Sequence, residues 1–402
     1  MGYTNPGTNT PMVVEDRASN PAGRRRVGAP NQTRYQLLGA AAALLALTSG
    51  AAAQAPFIPN NIVTSTVPAN GDVNPYGVAL VPLGFAKGGM IAPRDILVSN
   101  FNNSKNLQGT GTTIVTITPN GVVSPPGQAT VFFQGKNLGL DTALGTLKLG
   151  FVVVGNLPSA DGSYAKHRAG GLLVLDNNGK LVANLTSSRT TRMNGPWDMT
   201  IFDQGSTAKV FVSNVGNVNN GFVSRLDLSI TPTNVSIISA AVIATGYTVQ
   251  PNSAAFVFGP TGLVYDPSAD ILYVASTADN AIFAVKQAGT RTGSVGQGVT
   301  IFADDNVLRG PLGMVQAPNG DLIAANGDGV NGDLAHPSEY VEFTKTGTFV
   351  AQFNVDVNQG GAFGLGVGTG PRDAPRLAVV DDNVPDLIIF TGPAPTVNGP
   401  AE

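Results

Sequence analysis

GPLGMVQAPNGDLIAAN, residues 310–326, carries the argument for the fold of this chain. Pro311-Leu312-Gly313 opens an apolar run, Asn319-Gly320 makes a tight turn, and a second apolar run closes on a small polar residue, Asn326. Two short apolar runs joined by Asn-Gly read as a β-hairpin, because both turn residues tolerate positive φ. Working outward, the second half of the stretch recurs as DILVSN (95–100), FVVVGN (151–156), KVFVSN (209–214), ILYVAS (271–276), DLIAAN (321–326) and RLAVVD (376–381). Their final residues lie 56, 58, 62, 50 and 55 positions apart, so one unit is repeated six times.

Each copy keeps the same neighbours. A Gly-containing strand precedes it: NPYGVALV (74–81), ALGTLKL (143–149), GPWDMTIF (195–202), GPTGLVYD (259–266), GPLGMVQA (310–317) and FGLGVGT (363–369). A third strand follows across a polar loop: TIVTI, GLLVL, FVSRL, AIFAV, YVEF and LIIF. Fourth strands (TVFF, LVANL, VSII, VTIF, TFVAQF) follow in the first five copies only. Four strands per repeat, six times over, predict an all-β, six-bladed β-propeller of four-stranded blades. The sixth copy runs into TGPAPTVNGPAE, whose prolines oppose a strand, while NIVTST (61–66) has no blade of its own. The expectation is that this N-terminal strand completes the last blade and closes the ring, removing an open edge.

Composition sets the boundaries. The chain has 402 residues, 42% of them hydrophobic, enough for one large core, but only 12% are charged and none is cysteine. Disulfides, thiolate metal sites and cysteine nucleophiles are excluded. Basic residues Arg24, Arg25, Arg26 and Arg34 precede an eleven-residue apolar run (37–47) and small residues at Ala51 and Ala53. This is a signal-peptide pattern, with a run too short to span a bilayer. The expected organisation is a signal peptide with an n-region extension (1–53), a propeller (54–394) and a C-terminal tail (395–402). The protein would be secreted or periplasmic after cleavage near Ala53. Without residues 1–53 the chain holds 18 Lys+Arg against 24 Asp+Glu, a net of −6. No basic stripe remains for nucleic acid, and no second apolar run reaches eighteen residues, so neither nucleic-acid binding nor a membrane span is expected. A monomer is expected.

The Pro-x-Gly-apolar opening and the NGDL-apolar-Ala-Asn ending over residues 61–391 resemble NHL-repeat propellers of the secreted bacterial type. The single Trp197-Asp198 pair stands at a strand start, unlike the Trp-Asp of WD40 repeats. NHL-type propellers include binding modules, lyases and lactonases, so the resemblance implies a fold and leaves the activity open.

Candidate site residues come from the loops between second and third strands, which are long and rich in Asn, Asp and Gly. Asn326-Gly-Asp328-Gly-Val-Asn331-Gly-Asp333 places hard oxygen ligands at close spacing and suits a divalent cation such as Ca²⁺; it equally suits a solvated turn loop. The two histidines, His167 and His336, fall in these loops of blades 2 and 5 and are candidate catalytic bases. Asp198 stands where blades 1, 4 and 5 carry Gly77, Gly262 and Gly313, at the channel mouth. Likeness to gluconolactonase-type propellers, which hold a divalent metal there, implies Asp198, Asn214, Asn326 and Asp381 as the nearest ligand analogues. The G-x-S-x-G, H-E-x-x-H and P-loop patterns are absent. The leading expectation is a binding or interaction module taking a small molecule, glycan or protein on the loop face. The alternative is a metal-assisted lactonase, hydrolase or lyase at the channel mouth.

Overall fold

The computed structural model describes residues 61–327 and 332–393. They form six four-stranded antiparallel sheets. Blade 1 comprises Val73–Leu80, Ile96–Asn102, Thr113–Ile117 and Thr130–Gln134, and blade 2 Leu140–Leu147, Phe151–Asn156, Gly171–Asp176 and Leu181–Thr186. Blade 3 is built from Pro196–Asp203, Thr207–Asn214, Gly221–Thr231 and Asn234–Tyr247, and blade 4 from Pro260–Asp266, Ile271–Ser276, Ala281–Lys286 and Val299–Phe302. Blade 5 contains Pro311–Gln316, Leu322–Asn326, Glu339–Phe343 and Phe349–Asn354. Blade 6 takes Ala362–Thr369, Pro375–Asp381 and Asp386–Thr391 from the end of the chain and Asn61–Ser65 from its beginning. That last pairing runs from Asn61 opposite Phe390 to Ser65 opposite Asp386, which is the closure expected from the sequence.

The repeated Pro-x-Gly has a structural cause. In all six blades the first and second strands slip register just after the opening residue: between Pro196 and Met199 in blade 3, and between Pro311 and Met314 in blade 5. A bulge re-aims the side chain beside it. Glycine then lets neighbouring innermost strands pass closely. A Cβ on Gly364 would lie 1.6 Å from the Tyr76 carbonyl oxygen, and one on Gly313 would lie 2.7 Å from that of Phe363. Between blades the core is apolar, for example Met199, Val210, Val212 and Leu226 against Phe151, Val153 and Val174.

Two features depart from the sequence reading. A short hairpin, Gln250–Asn252 with Phe256–Phe258, stands between blades 3 and 4. The other is that the long loops are not confined to the face that the sequence singled out: residues 81–95, 118–129 and 287–298 are long connections on the opposite face. Tight Asn-Gly turns mark hairpins locally, whereas a loop that folds back on the blade carries no such local mark. Asp328 and Asn331, the signal segment 1–53 with its cleavage position, and the tail 395–402 lie outside the described residues. Among the described residues no helix is long and apolar enough to cross a membrane.

Candidate functional site

In blades 2, 3 and 5 the polar residue ending the second strand is a clamp. Asn156 Oδ1 accepts from the Gly139 N–H (2.9 Å), Asn214 Oδ1 from Asn194 N–H (2.8 Å), and Asn326 Oδ1 from Arg309 N–H (2.9 Å). In each case the donor belongs to the loop that enters the blade's first strand. A backbone bond beside it, such as Val215 N–H to Gly195 O (2.8 Å), completes the staple. Asn214 and Asn326, implied as metal ligands, are thus fully buried with their amide oxygens occupied by backbone donors. Replacing Asn214 with Ala strands the Asn194 N–H. We expect a loss of about 1–3 kcal/mol in urea unfolding; an unchanged midpoint would show that the clamp contributes nothing.

The staples hold a ring of aromatic side chains at the loop-face end of the axis. Tyr76, Trp197 and Phe363 come from the bulged starts of blades 1, 3 and 6, and Phe101 from the end of a second strand. Tyr164 comes from the blade 2 loop and Phe256 from the added hairpin; all six are buried. Tyr76 stacks on Phe363 (centroids 3.7 Å) and Phe101 (4.7 Å), and Trp197 packs edge-on to Phe101 (5.3 Å) and parallel to Phe256 (6.0 Å). The channel is therefore plugged on the long-loop face.

Beneath the plug the first strands of all six blades enclose about 360 Å³. At the other end Leu80, Thr146, Ile201, Tyr265, Gln316 and Val367 are partly exposed, so the cavity is entered from the face opposite the long loops. Among the described residues Asp198 is the only carboxylate on its wall. It is 7% exposed; its N–H donates to Ser213 Oγ (2.9 Å) and its Oδ1 accepts the Met199 N–H (2.7 Å). Burial pushes its pKa up to about 8. Beside it Asp141 is wholly buried; Oδ1 accepts the Ala143 N–H (3.2 Å), and Oδ2 meets no donor among the described residues. Burial, with some repulsion from Asp198, holds Asp141 well above the usual carboxylate range. Sequence reading missed Asp141. The signal was a charged residue inside LDTALGTL, a first strand with one residue more than its counterparts between its two register points.

The other candidates lie elsewhere. Asp333 gathers His336 (Nδ1 to Oδ2, 2.9 Å) and Arg309 (3.1 Å), which hold its carboxyl below the usual range, the histidine bond foremost. Next to them Glu339 is buried, bonded to the Asn326 amide, and raised by burial. His167 belongs to a separate group: its ring packs on Tyr164 (4.4 Å) and its Nδ1 meets the Tyr164 carbonyl oxygen. Asp381 ends its strand in blade 6, where Oδ1 accepts the Asn383 N–H (3.1 Å); burial, with repulsion from Asp356, pushes it up to about 6. Among the described residues no three His, Asp or Glu side chains converge on a cation position.

No protein-family model matches the sequence, and no curated protein matches it. Solved structures do. A protein of unknown function from Dyadobacter fermentans aligns with a TM-score of 0.52 at 9% identity, over 84% of this chain and all of that one. Regucalcin, a calcium-binding protein from Agrobacterium tumefaciens, aligns with a TM-score of 0.48 at 14% identity, over 82% and 93% of the two chains. A chain of the nidogen/laminin complex aligns at 0.45 and 11%, over 73% and 85%. At these identities the likeness is one of fold: the protein is a six-bladed β-propeller.

Proposed function

We propose that this chain is an exported propeller that works as a binding module through its long-loop face. The observation that carries the reading is the aromatic plug. It closes the channel at that end, and the loops around it are anchored by buried Asn clamps. Loops on a rigid scaffold are where recognition concentrates. Export rests on the signal-peptide pattern in residues 24–53. The test is binding of the purified protein to glycan and peptide arrays, with loop-face substitutions as probes. Hits weakened by loop-face variants and indifferent to Asp198→Asn support the module; an array with no hits overturns it.

One observation favours a second reading, hydrolase or lyase chemistry inside the channel. Asp198 faces the cavity and holds its proton at neutral pH, as a general acid must. The chemistry of a metal-assisted lactonase would need ligands beyond Asp198. Turnover of a lactone and ester panel, abolished by Asp198→Asn, would support this reading; a silent panel would sink it.

A further inference from the structure

Between blades 2 and 3 the loop face is cut by a cleft of about 560 Å³. Its polar wall is formed by Arg189, Arg192, Asn194 and Asn217, and part of its apolar wall by Phe222, which is partly exposed. No Asp or Glu lines it. Six of the nine arginines in the described residues are held by carboxylates or backbone carbonyls, among them Arg225, Arg309 and Arg376. Among the described residues neither Arg189 nor Arg192 has an ion pair, and both open onto this one cleft. In a chain carrying a net negative charge, two uncommitted guanidiniums three residues apart are conspicuous.

Their loop is also held in place. Ser187 N–H bonds Gly170 O (3.0 Å), Thr191 Oγ1 bonds Thr186 O (2.9 Å), Ser224 Oγ donates to the Arg192 carbonyl, and Asn194 N–H is clamped by Asn214 (2.8 Å). Arg192 itself stands at φ 55°, a left-handed conformation that L residues other than Asn and Asp seldom adopt. Such strain persists only where surrounding contacts enforce it, and it gathers at ligand clamps. Across the cleft Asn194 Nδ2 donates to Asn217 Oδ1 (3.0 Å), joining the two loops.

We infer that this cleft binds a carboxylate-bearing saccharide, its carboxylate between Arg189 and Arg192 and a ring face against Phe222. A guanidinium fork matches a carboxylate with two parallel hydrogen bonds. The amides supply donors and acceptors for hydroxyls, and the volume falls in the range of small-ligand pockets. The inference rests on the loop-face binding reading and names its ligand class.

The test uses protein purified from cells expressing the full chain and titrated calorimetrically with three probes: an oligogalacturonate, the same oligosaccharide fully methyl-esterified, and inorganic sulfate. The expected result is binding of the free acid alone. The Kd should rise at least tenfold in Arg189→Ala and in Arg192→Ala, recover partly in the Lys variants, and stay unchanged in the distant Arg372→Ala. Equal binding of the ester, binding of sulfate alone, an acidic peptide preferred over the uronate, or indifference to the double Arg189→Ala/Arg192→Ala variant would each overturn it. If the uronate fails while array ligands still bind in a loop-dependent way, this inference falls and the module reading stands. If nothing binds the face, both fall.

Discussion

Asp198→Asn should stabilise the protein progressively as pH rises from 4 to 8. The folded-state pKa is raised to about 8 from an ordinary 3.8 because the carboxyl is buried. Between those values the folded protein holds a proton that the unfolded chain has released. Unfolding free energy therefore falls with pH, by about 1.4 kcal/mol per unit for this one group. The stability is fully present below the unfolded pKa and is lost as pH rises through the folded one. Asparagine keeps an Oδ1 for the Met199 N–H and carries no charge. The variant should match the parent near pH 4 and exceed it by about 4–6 kcal/mol above pH 8. Asp141 is raised mainly by burial and in smaller part by Asp198, so the difference between the two proteins' urea unfolding curves across pH reads Asp198 together with its repulsion on Asp141. Parallel curves would show that Asp198 is hydrated and ionised in the folded protein.

Trp197→Ala should be the most damaging single truncation at the plug. The ring is wholly buried among Tyr76, Phe101 and Phe256, and removing a buried Trp side chain costs about 3–5 kcal/mol. One term works the other way: Trp197 Nε1 meets no acceptor among the described residues, so its loss removes an unsatisfied donor. Trp197→Phe, which keeps an aromatic ring and drops that N–H, should cost about 1–2 kcal/mol at most. The plug also keeps water from the loop face off Asp198. In Trp197→Ala the pH slope assigned to Asp198 should shrink, because a hydrated carboxyl returns toward its ordinary range. Urea unfolding at pH 5 and pH 8 reads both effects. A small loss of stability with an unchanged slope would show that the neighbouring rings refill the gap.

The six blades, their strand order and the closure by residues 61–65 were legible in the sequence, because each blade repeats one local message. Pro-x-Gly opens a bulged strand, Asn-Gly turns a hairpin, and a small polar residue ends the second strand. The position of Asp198 among glycines was legible for the same reason, since the register shift falls at the same step in blades 1, 3, 4 and 5. The meaning of the recurrent Asn was not. The donors it clamps lie 17 to 20 residues earlier in the chain, and nothing in VSN or AAN says which backbone N–H will come to meet it. Only the tertiary structure shows the loop-face end of the channel closed, because the plug draws rings from blades 1, 3 and 6, a blade 2 loop and an unanticipated hairpin. The same holds for Asp141 beside Asp198 and for Arg189 and Arg192 in one cleft. A repeat determines what each blade looks like from its own local pattern. What meets at the axis or between blades depends on side chains from segments distant in sequence, brought together only when the ring closes.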